Sequence, residues 1–306
     1  MSVRALIAEY VAVVVARDAS EASDGFVIED RPEGRTLVVT GAWTSKTRSA
    51  LGVDGVECLC LNYARGFSEP DLEFLEALPV RRLLVLDRKL TDVTPIERLA
   101  ETLEHVSLQV APGAVLDVGE FPHLRSLGAV WRAVRETVAE ASALVELVAL
   151  EYDERDLWAL AENEALAKLV LKPADDLESL AGVQSLSRLE HLGVFAARHL
   201  SDIGDVAAAA SLRRFELQAC RSVDSLEAIA GLGMLRFLGV SDCGPIESLA
   251  PLAGLVNLEV LHAWGTTRIS DGDLTPLTGL SRLSEIRMRD RHEYRPRLST
   301  IRPAPS

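Results

Sequence analysis

Aromatic residues make up only 5% of this 306-residue chain, so Phe, Trp and Tyr cannot fill most of its core. Hydrophobic residues still reach 48%, which leaves Leu, Val and Ala to do the filling. Long apolar runs are missing as well. None reaches the roughly 18–20 residues that a membrane helix needs, so a spanning helix is excluded. The first residues carry Arg4 and an apolar run from Val11 to Ala16, but Glu9 interrupts the region. No small-x-small cleavage pattern follows, and the stretch is not read as a secretory signal. Cysteine is scarce: Cys58, Cys60, Cys220 and Cys243 are the four in the chain. Cys58 and Cys60 are too close along one strand to pair. Cys220 and Cys243 are expected to be small buried thiols in a reducing compartment, and the expected location is the cytoplasm.

Catalytic signatures are absent too. The chain has no Gly-rich phosphate loop, no G-x-S-x-G, no H-E-x-x-H and no paired C-x-x-C, so neither an enzyme nor a cofactor is expected. The net charge of −14 argues against nucleic acid as a direct ligand. The stretch 282–306 runs the other way, with seven Arg against Glu285, Asp290 and Glu293, which leaves about −18 on the remainder. Arg greatly outnumbers Lys, a bias that points to a GC-rich, bacterial genome.

What the chain does have is a repeat. The lines LEHLGV, LRRFEL, LRFLGV, LEVLHA and LSEIRM begin at Leu189, Leu212, Leu235, Leu258 and Leu283, with spacings of 23, 23, 23 and 25. A fixed period in this range predicts one short parallel strand per repeat, a turn and a return segment. In the repeat from Leu235, the residues Leu235, Leu238 and Val240 are expected to point inward from the strand side. Ile246, Leu249, Leu252 and Leu255 do so from the return. No single repeat buries these alone; stacked neighbours bury them jointly. Pro251-Leu252, Gly254-Leu255, Pro276-Leu277 and Gly279-Leu280 break long helices and predict short helical, 3₁₀ or irregular returns. Working backward, the frame continues at Leu166, Leu144, Leu124, Leu103, Val80 and Val56, with the frames at Val80, Leu124 and Leu144 open by a residue or two. Thr36–Thr40 reads as one further strand.

These repeats resemble the leucine-rich repeats of bacterial internalin-like and SDS22-like proteins. Leu258-x-x-Leu261, Ile269, Leu274, Pro276-Leu277 and Leu280 carry the likeness, and the Leu235 repeat has the same layout. The expected fold is therefore α/β: a leucine-rich-repeat solenoid, or horseshoe, with a parallel concave β-sheet and short convex returns. Its expected parts are an N-terminal capping segment of strands at 1–35, the solenoid at 36–290 and an Arg/Pro-rich tail at 291–306, whose final residues should be loosely held. One departure stands out. The family usually carries Asn after the strand, where its amide satisfies the turn. Here the position holds Ala64, Ala111, Ala174, Ala197, Cys220, Cys243 and Thr266, and in the blurred repeats Arg88, Arg132 and Tyr152.

Outward strand positions then form rows across the concave face. Phe195, Phe237 and Trp264 fall outward and are candidate anchors for a partner. Gly193 and Gly239 flank Glu216, which predicts a dent with a carboxylate at its floor and Arg214 beside it. Val130, Trp131, Val148, Leu150 and Val170 predict an apolar stretch. His191 and His262 share the face three repeats apart, roughly 14 Å at about 4.8 Å per strand, too far for joint metal ligation. The candidate partner-binding residues are Phe195, Arg214, Glu216, Phe237, His262 and Trp264. The resemblance implies a non-catalytic protein-interaction scaffold. It would be monomeric, with a protein partner and neither nucleic acid nor membrane. The alternative is an immunity- or inhibitor-type protein that blocks a basic enzyme through its acidic surface.

Overall fold

The structure, a computed structural model, describes residues 24–32 and 34–301. The apolar segment Ala5–Ala16 and the last residues, from 302 on, lie outside the described residues. The chain divides into two compact units, Met1–Ala129 and Val130–Ser306.

The first unit opens with a hairpin. Strands β1 (Phe26–Arg31) and β2 (Gly34–Val39) pair antiparallel from Phe26↔Val39 to Arg31↔Gly34. From β2 onward every pairing is parallel, through β3 (Cys58–Asn62), β4 (Arg82–Asp87), β5 (His105–Val110) and β6 (Ser126–Val130). Leu37, Leu59, Leu83, Val106 and Leu127 stack as one register row and are all buried. Burial drives this arrangement, because each Leu fully removed from water stabilises the stack by roughly 1.5–3 kcal/mol and has no partner inside its own repeat. The frame read from Val80 holds: Val80 is buried just ahead of β4.

The second unit continues the pattern with β7 (Glu146–Leu150), β8 (Lys168–Lys172), β9 (His191–Phe195), β10 (Arg214–Gln218), β11 (Phe237–Ser241), β13 (Val260–Ala263) and β15 (Glu285–Met288), paired parallel in that order. The two-residue strands β12 (Pro245–Ile246) and β14 (Arg268–Ile269) pair with each other on the return side. Leu147, Leu169, Leu192, Phe215, Leu238 and Leu261 form an inward row with no exposed surface, and Leu249, Leu252 and Leu255 are fully buried on the return side. The returns carry short helical turns, among them α1 (Ser45–Ala50) in the first unit and α2 (Thr275–Thr278) in the second. The rest of these turns are 3₁₀ stretches of at most six residues, such as Thr94–Leu99. These are parallel-strand repeat stacks with short convex-type returns, as the period predicts.

Two details differ from the sequence reading. Strands begin about two residues later than the repeat lines. The N–H of Leu189 is taken by Leu186 O in a turn, and Glu190 and His191 both donate to Ala167 O, so the leading Leu enters the spine from a turn. The position after the strand also shifts. Ala174, Ala197, Cys220, Cys243 and Tyr152 are buried there, but Ala64, Arg88, Arg132 and Thr266 are exposed. Phe67, Leu90, Ala133 and Thr267 are buried nearby in their place. The cause is loop length. The Leu258 repeat has one extra residue between its strand and the buried slot, and Thr267 fills it.

The turn chemistry that replaces Asn is visible here. Cys220 Sγ lies 3.5 Å from Val194 O, and Cys243 Sγ lies 3.3 Å from Leu217 O, in each case a carbonyl of the preceding repeat. Thr267 Oγ1 donates to Val240 O and accepts from Cys243 N, which ties the same position across the next step. The thiols are free; the hydrogen-bonding Cys220 neighbour and then burial push the Cys243 thiol far up, so it stays protonated and donates. The chain also turns sharply just after these strands. Ala196, Ala219 and Asp242 take φ of 57°, 59° and 57°, and Gly265 takes 74° at the next equivalent position.

At the C-terminal side Tyr294 is buried, and its hydroxyl accepts the N–H of Ile269 at 3.0 Å. That side chain covers the last return, where the stack would otherwise meet water.

Candidate functional site

The face of the second unit opposite the apolar spine is built by register alone. Parallel pairing places Lys168, His191, Arg214, Phe237, Val260 and Glu285 in one row. Val170, Gly193, Glu216, Gly239, His262 and Arg287 form the next. Phe195, Gln218 and Ser241 follow in a third row, and Trp264 lies one residue beyond the end of β13. Because adjacent strands sit about 4.8 Å apart, side chains on neighbouring strands touch within a row and on the diagonal to the next.

They touch in an ordered sequence. His191 Nε2 sits 3.2 Å from Glu216 Oε1, and Arg214 Nε donates to the same oxygen. The Arg214 guanidinium then lies over the Phe237 ring, 3.6 Å from its centroid, and Phe237 meets the His262 ring edge-on at 4.9 Å. His262 Nε2 sits 2.8 Å from Glu285 Oε1, which also pairs with Arg287. Seven side chains thus connect β9, β10, β11, β13 and β15 without a break.

The electrostatics are self-consistent. Burial works to raise the Glu216 carboxyl, but hydrogen bonds from His191 and Arg214 outweigh it and hold the group below the usual carboxylate range. Glu285 is held low by its hydrogen bond from His262, with Arg287 adding to the effect. Both carboxylates are therefore ionised and accept only, so each facing histidine carries its hydrogen on Nε2. The network fixes side-chain positions more than it stabilises the fold, since partly exposed ion pairs contribute about 0–1 kcal/mol.

Of the six candidate residues, the structure brings four into direct contact: Arg214, Glu216, Phe237 and His262. Trp264 stands apart at the rim, 49% exposed, with its backbone N–H directed at Ser241 Oγ. Phe195 differs from the expected anchor. Only 6% of it is exposed, because its ring lies down over Gly193, where an added Cβ would come within 2.8 Å of it. Lys172 sits over the other part of the ring, 5.4 Å from its centroid. Gly239 is covered in the same way by Phe237, 3.2 Å from where a Cβ would sit. The expected dent around Glu216 is thus filled: the two glycines are seats for aromatic rings. In the predicted apolar stretch Trp131 is fully buried, packed 4.7 Å from Tyr152 with its Nε1 donating to Glu154. Val130, Leu150 and Val170 remain partly accessible.

Sequence reasoning placed His191, Arg287, Lys168 and Lys172 on this face but left them out of the candidate contacts. A signal was present. Arg214-x-Glu216 and Glu285-x-Arg287 place opposite charges two residues apart, on one side of a strand, and each has a histidine one repeat earlier.

The strands β7 to β15 present on this face the cations Lys168, Lys172, Arg214 and Arg287 against the carboxylates Glu146, Glu216 and Glu285. Those three are a small part of the 26 Asp and Glu between positions 130 and 301. The negative charge of the unit is therefore carried by its turns and returns. Among the described residues, no group of three or more His, Cys, Asp or Glu is placed to hold a metal ion.

No protein-family model matches the chain, and no curated protein matches it. Solved structures do. An internalin, InlF of Listeria monocytogenes, superposes with a TM-score of 0.57 at 16% identity, over 84% of this chain and 83% of that one. The plant peptide hormone receptor RGFR1, solved in complex with RGF2, superposes with a TM-score of 0.51 at 17% identity. It covers 86% of this chain, which spans 48% of the receptor chain. The period, the parallel register, the buried leucine rows and these likenesses agree: the chain has the leucine-rich-repeat fold.

Proposed function

We propose that this chain is a non-catalytic scaffold that binds a partner protein through the sheet face of its second unit. The observation that carries the reading is the connected set from His191 to Arg287, with the half-exposed Trp264 at its rim. Side chains already held by neighbours lose little entropy on binding, and an exposed indole beside them is the kind of group that carries interface energy. Arg214, Glu216, Phe237, His262 and Trp264 make the contacts, while Phe195 supports the surface from beneath. The fold supports a binding role by analogy, as does the peptide-bound state of the plant receptor.

The reading extends to a cytoplasmic, monomeric, bacterial protein. Free, buried cysteines support a reducing compartment. No helix among the described residues is long and apolar enough to cross a membrane. The inhibitor alternative would have to use another surface, because this face holds few of the acids.

The experiment is photo-crosslinking with a benzophenone residue in place of Trp264, and a matched control at Trp158, which is exposed on a return. A partner captured at 264 and not at 158 supports the reading. Capture only at 158 moves the site to the returns.

A further inference from the structure

The charge pattern of the two sides of the second unit points to the chemistry of the partner. We infer that the sheet face takes an acidic, extended segment of a partner protein, laid across the strands from β8 to β15. This rests on the interaction reading above and specifies it.

The argument starts from an inversion. The chain carries −14 overall, yet on this face cations outnumber carboxylates. The carboxylates that are present are also committed. Glu216 is held by Arg214 and His191, Glu285 by Arg287 and His262, and Glu146 lies 3.5 Å from Lys168. The pairing is mutual, so exposure decides which charge a partner meets: a basic one finds Glu216 16%, Glu285 41% and Glu146 47% exposed. An acidic one meets guanidinium groups that are well exposed, 40% at Arg214 and 60% at Arg287. The acid-rich turns and returns around the face repel the same partner elsewhere, so charge selects this surface in both directions.

The geometry sets the size. Six strands about 4.8 Å apart span roughly 24 Å, the length of about seven or eight extended residues at about 3.3 Å each. Arg214 stacked on Phe237 has its orientation fixed before the partner arrives, which suits a planar carboxylate. Trp264 at the rim adds a place for one apolar side chain of the segment.

The test is a random octapeptide display library panned on the full chain, with sequencing of the recovered pool. The expected pool is enriched at least twofold in Asp and Glu over the input and depleted in Lys and Arg. Recovery should fall tenfold or more with Arg287→Glu and with Arg214→Glu/Arg287→Glu, each confirmed folded by circular dichroism. Arg198→Glu, on a turn, should recover the same pool. A pool without acidic enrichment, or one whose acidic enrichment survives the double variant, overturns the inference. So does an oligothymidine strand that binds more tightly than the selected peptides. A pool that is not acidic but is lost with Phe237→Ala and Trp264→Ala leaves the interaction face standing and removes only the acidic partner. A pool indifferent to every face variant removes both.

Discussion

The Arg214 guanidinium carbon lies 3.6 Å from the centroid of the Phe237 ring, on the neighbouring strand. The two residues are register partners, so the parallel sheet itself brings them together. A stacked guanidinium keeps its edge available for hydrogen bonds while its face is desolvated. Phe237 is therefore both a contact surface and the support of a cation.

Phe237→Ala should weaken partner binding by about tenfold or more, and Trp264→Ala by a similar factor. The reasons differ. Trp264→Ala removes exposed surface, while Phe237→Ala also frees Arg214 and the edge of His262. The salt dependence of binding should change with Phe237→Ala and stay unchanged with Trp264→Ala. Titration at two ionic strengths separates them, and identical salt slopes for both would show that the stack does not position Arg214.

Leu238→Ala should cost roughly 2–5 kcal/mol, because the side chain has no exposed surface and neighbours on both sides in its row. Urea denaturation measures this. A loss below about 1 kcal/mol would show that the spine collapses onto the gap.

The sharp turns make two substitutions move stability in opposite directions. Ala219→Gly relieves a left-handed backbone at φ 59° and should stabilise by up to about 1 kcal/mol. Gly265→Ala puts a Cβ at φ 74° within 2.0 Å of Asp242 Oδ1 and should destabilise by at least about 1 kcal/mol. Thermal melts of the pair check the assignment; equal shifts would contradict it.

Glu216 gives a pH prediction. Its carboxyl is held below its ordinary value, so the unfolded chain takes up the proton first as pH falls. The stability it contributes is full above the unfolded pKa of about 4.3 and is lost as pH drops through the lower folded value. Glu216→Gln should flatten the acid limb of a stability–pH curve between about pH 5 and 3 and change its slope little from pH 6 to 8. An unchanged acid limb would show that the His191 and Arg214 contacts carry no linkage.

Much of this was legible in the sequence. The leucine period located the strand-bearing repeats and the inward rows, because burial shared between neighbours demands one residue type at fixed spacing. Alternation also assigned Arg214, Glu216, Phe237 and His262 to one face. It could not say which side chains lie flat. Phe195 is outward by alternation yet covered, because Gly193 leaves room for its ring and Lys172 closes over it. Trp131 looked exposed because its position depends on a strand-end turn, which pattern does not encode. The slot after the strand slipped at Thr266 for the same reason: loops change length without changing the hydrophobic period of the strands.

That tolerance is drawn out in the Leu258 repeat. Two residues separate Ile246 from Leu249, and four separate Ile269 from Leu274, yet Val260 still aligns with Glu285 in the sheet. The added length is taken up at Ser270–Asp273, where Gly272 turns at φ 69°. The molecule thus keeps its strand register and its loop lengths under separate control. Ser270 and Asp271 donate to Ile246 O and Glu247 O, and Gly272 O accepts from Arg295, so the longer loop is tied to the chain on both sides while the strand register is kept.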